Sequence, residues 1–165
     1  MPFSTCDLCD TNEDKLASGM LVVLAPVWQH FGALQHFTGP AATLKVFEDN
    51  VLLRMALETP GRGRVLAVDA GGSLRCGMVG GNLGRMAQQN GWAGIVIDGC
   101  VRDVEEINAC AIGVRARGTH PRRSLRKGEG QADIAVTIAG TLVHPGDWIF
   151  ADADGVLVSR TALLP

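Results

Sequence analysis

The sequence predicts one α/β domain, and three observations carry that expectation. Short apolar runs rich in β-branched residues recur at strand length, helix-sized segments alternate with them through the middle of the chain, and no linker, repeat or low-complexity tract interrupts the 165 residues. A chain of that length buries roughly 70% of the surface its unfolded form exposes, enough for one core. In chain order, a short helix is expected around Cys6 and Cys9, and strands over 20–24 and 42–47. A helix over 49–57 leads to a strand over 64–69, and a helix over 82–90 leads to a strand over 94–97. A helix over 103–110 then precedes strands over 112–116, 134–138, 148–151 and 156–158. Gly91 and Gly113 stand where the last two helices should stop. Residues 118–133 read as one long polar loop, and loops of that length in compact domains usually serve a function.

Composition narrows the function classes. The chain is 47% hydrophobic and 19% charged, with a net charge of −2, so no global field points to nucleic acid or to an anionic membrane. It contains no run of 18 apolar residues and no signal-peptide pattern at its start, so no membrane association is expected. Five scattered cysteines, an odd number, suit reduced thiols and a cytoplasmic location better than a secreted disulfide framework. Cys6 and Cys9 form a lone C-x-x-C pair with no second pair at metal-ligand spacing.

The most informative stretch runs from Gly77 through Gly80, Gly81, Asn82 and Leu83 to Gly99, Arg102, Asp103, Glu105 and Glu106. It reads as glycine turn, helix, strand, turn, helix. Two helix N-termini would lie at adjacent strand ends, and each offers unpaired N–H groups to a carboxylate or phosphate. Glycine at 80 and 81 lets backbone approach such an anion closely. Arg102 adds a planar fork that matches a carboxylate. Asp103 and Glu106 would share a helix face and could hold magnesium or manganese, directly or through water. The same pair also satisfies a capping box, with Asp103 as N-cap and Glu106 at the third helical position. Spacing leaves both readings open.

At these residues the sequence resembles the regulator of ribonuclease activity A family, which includes the class II 4-hydroxy-4-methyl-2-oxoglutarate aldolases. The resemblance spans nearly the whole chain. It includes Thr5-Cys6-Asp7-Leu8-Cys9-Asp10, Phe37-Thr38-Gly39-Pro40, Gly80-Gly81-Asn82-Leu83, Gly91 to Gly99, Val101-Arg102-Asp103, Pro145-Gly146-Asp147 and Ala151 to Val156, in order. Enzymatically competent members carry a glycine, twenty residues, Arg-Asp, two residues and an acid, a pattern matched by Gly81, Arg102, Asp103 and Glu106. The resemblance implies a swivelling β/β/α fold, a homotrimer with active sites between subunits, and a divalent metal cofactor. It also implies that the backbone of Gly80, Gly81, Asn82 and Leu83 binds a 2-oxo acid carboxylate and that Arg102 binds substrate and stabilises enolate charge. Asp103 would ligate the metal, and Glu106 would support its water shell. The expected chemistry is retro-aldol cleavage to pyruvate with oxaloacetate decarboxylation; the alternative implied by the family is binding to ribonuclease E and inhibiting it.

Other candidates are weaker. His30, His36, His120 and His144 show no ligand spacing, and no lysine lies in the motif, although Lys45 and Lys127 occur elsewhere. The basic run Arg115, Arg117, Arg122, Arg123, Arg126 and Lys127 lacks the interleaved aromatics of a nucleic-acid platform and reads as a solvated or subunit-facing loop near an anionic substrate. Asp152 and Asp154 look like a ligand cluster, but a turn before a final strand, with Gly155 taking the unusual dihedrals, explains them about as well.

Overall fold

The computed structural model describes residues 2–164. Helices α1 (Thr5–Asp10) and α2 (Glu13–Ser18) come first, followed by strands β1 (Leu21–Val23), β2 (Gln29–Phe31) and β3 (Phe37–Lys45). The middle of the chain alternates: α3 (Val51–Glu58), β4 (Val65–Asp69), β5 (Gly77–Val79), α4 (Gly81–Gln89), β6 (Gly94–Val101), α5 (Val104–Asn108) and β7 (Gly113–Thr119). Short strands complete it: β8 (Gln131–Ala132), β9 (Val136–Ile138), β10 (Thr141–Val143), β11 (Trp148–Ala151) and β12 (Val156–Ser159).

Ten strands form one curled sheet in the order β1-β12-β11-β3-β4-β6-β7-β2, with β5 beside β6 and β8 beside β3. Its centre is parallel: β3 to β4, β4 to β6, β6 to β7 and β5 to β6. Helical crossovers supply that geometry, because parallel neighbours need a long return connection. The central strands are buried on both faces. Leu66, Val68, Ile95 and Ile97 pack toward the layer of α3, α4 and α5, while Val65, Ala67 and Val96 pack against Val136, Ile138, Ile149 and Val158. Two-sided burial explains why these strands read as unbroken apolar runs rather than alternating ones. The result is helices, parallel sheet and a second β layer, the β/β/α arrangement expected from the resemblance. Among the described residues no helix is long and apolar enough to cross a membrane.

Two glycines act differently from expectation. Gly91 does follow the α4 C-cap with φ +75°, as a helix stop should. Gly113 does not stop α5, which ends at Asn108; it lies in β7, where an added Cβ would stand 2.2 Å from the Phe37 ring. Gly94 meets the same ring at 2.2 Å, so the two glycines together make room for one aromatic side chain. Gly155 has no positive φ either: its turn is held by Asp152, whose Oδ1 accepts from the amides of Asp154 and Gly155. Asp152 also accepts from the Thr5 amide and hydroxyl, both at 2.7 Å, and so ties the start of α1 to the C-terminal strands.

The basic run divides. Arg115 is fully buried rather than solvated, donating to the carbonyls of Gln35 (2.6 Å) and Asp152 (3.1 Å), and burial pushes its guanidinium down to about 10. Arg117 pairs with the buried Asp98. Only the residues after Thr119 form a loop, a strap that runs to β8.

Candidate active site

Strands β5 and β6 end side by side. The Arg102 amide donates to Val79 O at 2.8 Å and the His120 amide to Val101 O at 3.0 Å, so the C-terminal ends of β5, β6 and β7 are stitched together. Helix α4 starts from the first of these ends and α5 from the second, and a crevice at the carboxyl ends of parallel strands is where open α/β sheets bind ligands.

At the first end, Gly80 is an extended N-cap (φ −113°, ψ −171°) without a side chain. The amides of Asn82 and Leu83 lie in the first turn, where no intrahelical carbonyl reaches them, and carry the helix's partial positive charge. The buried face of α4, Leu83, Gly84 and Ala87, packs on the core, and Gly84 is close enough to α5 that an added Cβ would touch Cys110 Sγ at 3.4 Å.

At the second end, Asp103 sits in the left-handed region with φ 54° and makes no side-chain cap. The capping-box reading therefore fails. Asp103 Oδ2 instead accepts from the Gly81 amide at 3.3 Å, across 22 residues, and its Oδ1 stands 3.9 Å from Arg102 Nε. Glu106 turns to Arg85, which donates to Glu106 Oε2 at 3.2 Å and also to Asn82 Oδ1. Both carboxylates lie hard against the glycine pair: a Cβ at Gly80 would stand 2.7 Å from Asp103 Oδ2, and one at Gly81 would stand 2.0 Å from Glu106 Oε2. This is the physical reason for glycine at both positions.

A cavity of about 250 Å³ opens here, lined by Gly80, Asn82, Arg102 and Asp103 together with residues of α3 and of the strap. Val51, Met55, Met78 and Leu83 give it an apolar wall. Arg102 Nε is buried there with no hydrogen-bond partner. Such an atom costs stability unless a ligand supplies an acceptor, and the nearby helix start favours an anion as that acceptor. His120 borders a shallower cavity shared with Arg102 and Asp103, while its Nδ1 accepts from the Arg122 amide at 3.1 Å. No lysine lines the cavity of about 250 Å³.

The donor set fits a hard divalent cation that keeps most of its water. Among the described residues no three His, Cys, Asp or Glu side chains converge as a closed metal cluster. One carboxylate, Asp103, with a second, Glu106, on the next helical turn is the kind of attachment that magnesium or manganese accepts.

Of the residues expected from the resemblance, the fold brings Gly80, Asn82, Leu83, Arg102 and Asp103 to this cavity, whereas Glu106 lies against Gly81 and opens on a neighbouring pocket with Arg85. The sequence pattern did not reveal Arg85, which shares Glu106 and Asn82, nor the further lining residues Asn50, Arg54, Arg123, Ser124 and Arg126. The basic character of residues 122–127 suggests a loop near an anionic substrate, but the chain order does not single out Arg123, Ser124 and Arg126 as lining residues.

The strap is anchored beside the site. Asp49, 2% exposed, accepts at Oδ2 from the amides of Lys127 (2.7 Å), Gly128 (2.9 Å) and Glu129 (3.4 Å), and at Oδ1 from Val51 (3.1 Å). Burial alone would raise this carboxyl, but the backbone donors outweigh it and hold Asp49 below its usual range.

Comparison with known proteins identifies the family. Residues 5–158 match the family described as RraA-like, aldolase/RraA. Proteins of Burkholderia mallei and Burkholderia pseudomallei, provisionally named 4-hydroxy-4-methyl-2-oxoglutarate aldolase, are 61% identical over 164 residues, 99% of this chain and 99% of theirs. Among solved structures, a Geobacillus kaustophilus protein described as an S-adenosylmethionine:2-dimethylmenaquinone methyltransferase shares 44% identity with a TM-score of 0.92, covering 98% of this chain and 97% of its own. The RNA-processing inhibitor RraA from Thermus thermophilus shares 41% identity with a TM-score of 0.92, covering 99% and 96%. A family model matched along nearly the whole chain, together with relatives of this identity and coverage, shows that the chain belongs to the RraA-like family.

Proposed function

We propose that this protein is a divalent-metal-dependent 4-hydroxy-4-methyl-2-oxoglutarate aldolase with oxaloacetate decarboxylase activity, acting in the cytoplasm as a homotrimer. The observation that carries the reading is Asp103: it adopts a left-handed conformation, leaves its helix uncapped and stands at the cavity beside the unpartnered Arg102 Nε. Strained residues held by their surroundings cluster at functional sites. The 61% identical relatives named as this aldolase support the substrate, and five free cysteines support the compartment.

In this reading the first-turn amides of α4 and the Arg102 guanidinium bind the substrate's 2-oxo acid carboxylate. Cleavage of the C3–C4 bond, with loss of the 4-hydroxyl proton, leaves a second pyruvate and the pyruvate enolate, which is then protonated at C3. Decarboxylation of oxaloacetate leaves the same enolate. Both reactions therefore require stabilisation of charge growing on the former keto oxygen. Arg102 contributes a permanent cation there. A cation held by Asp103, with Glu106 supporting its water, would add Lewis-acid polarisation of the 2-oxo group. The absence of lysine from the lining is consistent with a route that needs no Schiff base.

The methyltransferase name carried by one structural relative sits less well with this site, because a cavity of about 250 Å³ lined by four arginines against two carboxylates suits a small anion better than a cationic adenosyl sulfonium. A second reading, inhibition of ribonuclease E by direct binding, is favoured by the Thermus thermophilus relative. It would use the outer surface and need not compete with catalysis.

The deciding measurement is pyruvate release from 4-hydroxy-4-methyl-2-oxoglutarate and from oxaloacetate by metal-stripped protein, before and after adding magnesium or manganese. Metal-dependent release from both is expected. Folded protein that releases none with either metal would overturn the enzyme reading.

A further inference from the structure

The N-terminal ends of α4 and α5 meet at Gly81. Asp103 Oδ2 accepts from the Gly81 amide at 3.3 Å, and a Cβ on Gly81 would stand 2.0 Å from Glu106 Oε2. Two carboxylates therefore bear on one residue, with Glu105 between them in the chain, and like charges so close drive Glu106 outward unless a cation holds it. Arg85 is that cation. It lies in the second turn of α4, outside the lining of the 250 Å³ cavity, and donates from Nη1 to Glu106 Oε2 at 3.2 Å and from Nη2 to Asn82 Oδ1. Separate nitrogens of one planar head thus tie the first turn of α4 to Glu106 on α5. Stability does not account for the arrangement. The side chains of Arg85 and Glu106 are 48% and 54% exposed, and an ion pair this open to water adds little to folding. The α5 backbone is anchored independently, by the buried Ile107 and by Cys110 Sγ, which donates to Glu106 O at 3.2 Å. What Arg85 fixes is the Glu106 carboxylate.

We propose that Arg85 is a positioning residue for the metal: it fixes the Glu106 carboxylate beside Gly81 and Asp103, where it supports the water shell of a cation held by Asp103. The inference rests on the metal reading of Asp103 and Glu106 for its ligand and on the Arg85 contacts for its residue. Groups that orient a metal's ligands from outside typically change its affinity about 10- to 100-fold. The sign of the effect is diagnostic. Arg85 is itself a cation, so if it acted only through its charge, removing it would tighten binding of a second cation nearby. If it acts by positioning Glu106, removing it weakens that binding.

The test needs no substrate. Manganese(II) is titrated into metal-stripped protein, and the free ion is counted by electron paramagnetic resonance. Arg85→Ala is expected to weaken binding about 10-fold, the lower end of the range because Glu106 itself remains. Arg85→Met, which keeps the aliphatic stem without the donors, should do the same and stands in if the alanine variant folds poorly. Arg85→Lys keeps the charge and one donor, and should recover part of the loss. Glu106→Ala should lose at least as much as Arg85→Ala, and combining the two should cost nothing further, because a positioning residue has no effect once its target is gone. Thermal unfolding of the Arg85 variants should stay close to wild type. Affinity that is unchanged or tighter in Arg85→Ala and Arg85→Met, or losses that add in the double variant, overturns the positioning role and leaves the metal reading standing. Wild-type protein that binds no manganese overturns both.

Discussion

Glu106 occupies the space that a side chain at Gly81 would need: an added Cβ would stand 2.0 Å from Glu106 Oε2 and 2.6 Å from Glu106 Cβ. The carboxylate tip could swing away, but the Cβ contact cannot be relieved without moving α5 against α4. Gly81→Ala is therefore expected to cost about 1–3 kcal/mol as an overpacking substitution and to displace Glu106 from its place between Gly81 and Arg85. Thermal unfolding reads the first effect. Pyruvate release at saturating magnesium reads the second, and turnover equal to wild type would show that Glu106 placement is irrelevant to the reaction.

Asp103→Asn separates two roles that alanine would confuse. Alanine in the left-handed region is itself strained by about 1–2 kcal/mol, whereas asparagine tolerates it and caps helices as well as aspartate. The amide oxygen of asparagine can still accept from the Gly81 amide, so stability should stay within about 0.5 kcal/mol of wild type. If Asp103 ligates the metal as proposed, turnover should vanish with its anionic oxygen. Retained turnover in this variant would return Asp103 to a purely conformational role.

What the sequence made legible follows from the physics of each element. Strands such as Val65–Asp69 and Gly94–Val101 are buried on both faces, so their apolar runs are unbroken and easily read. Gln29–Phe31 has two exposed residues of three and Gly77–Val79 is too short to show a period, so neither was expected as a strand. Helix α5 is shorter than the 103–110 expected because Asp103 leaves the helical region and Asn108 ends it. At the site, Gly81, Arg102, Asp103 and Glu106 are picked out by the family pattern that the resemblance supplies, since their spacing alone leaves a capping box equally open. Arg85, Arg123 and Ser124 join them only through tertiary contacts, the ion pair to Glu106 and the bridge between Gly77 and Arg123, which no local pattern encodes.

Asp49 should make the strap acid-labile. Its folded pKa is depressed below the ordinary 3.8, so its contribution is fully present above that value and is lost as pH falls through the depressed folded pKa. Asp49→Asn removes the charge from bonds to the amides of Lys127, Gly128 and Glu129, and is expected to cost about 1.5–3 kcal/mol near neutral pH. Unfolding free energies measured from pH 7 down to pH 2 should therefore converge for the two proteins at the acid end. Faster amide exchange at 127–129 in the variant would locate the loss in the strap, and a constant difference across the whole range would exclude a titrating Asp49 as its source.

Arg102→Lys tests whether the guanidinium does more than supply charge. The wild-type Nε is buried and unpartnered beside the cavity, and the forked head can meet a carboxylate with two parallel bonds. Lysine keeps the positive charge but replaces the Nε donor by a methylene and the fork by one ammonium. Loss of the bidentate contact should raise KM about 10- to 100-fold. If the same group also stabilises charge growing on the keto oxygen, kcat must fall as well, because that interaction is stronger in the transition state than in the bound substrate. A rise in KM with kcat intact would confine Arg102 to binding. Neither constant changing would remove it from the site, and the unpartnered Nε would then need a different ligand.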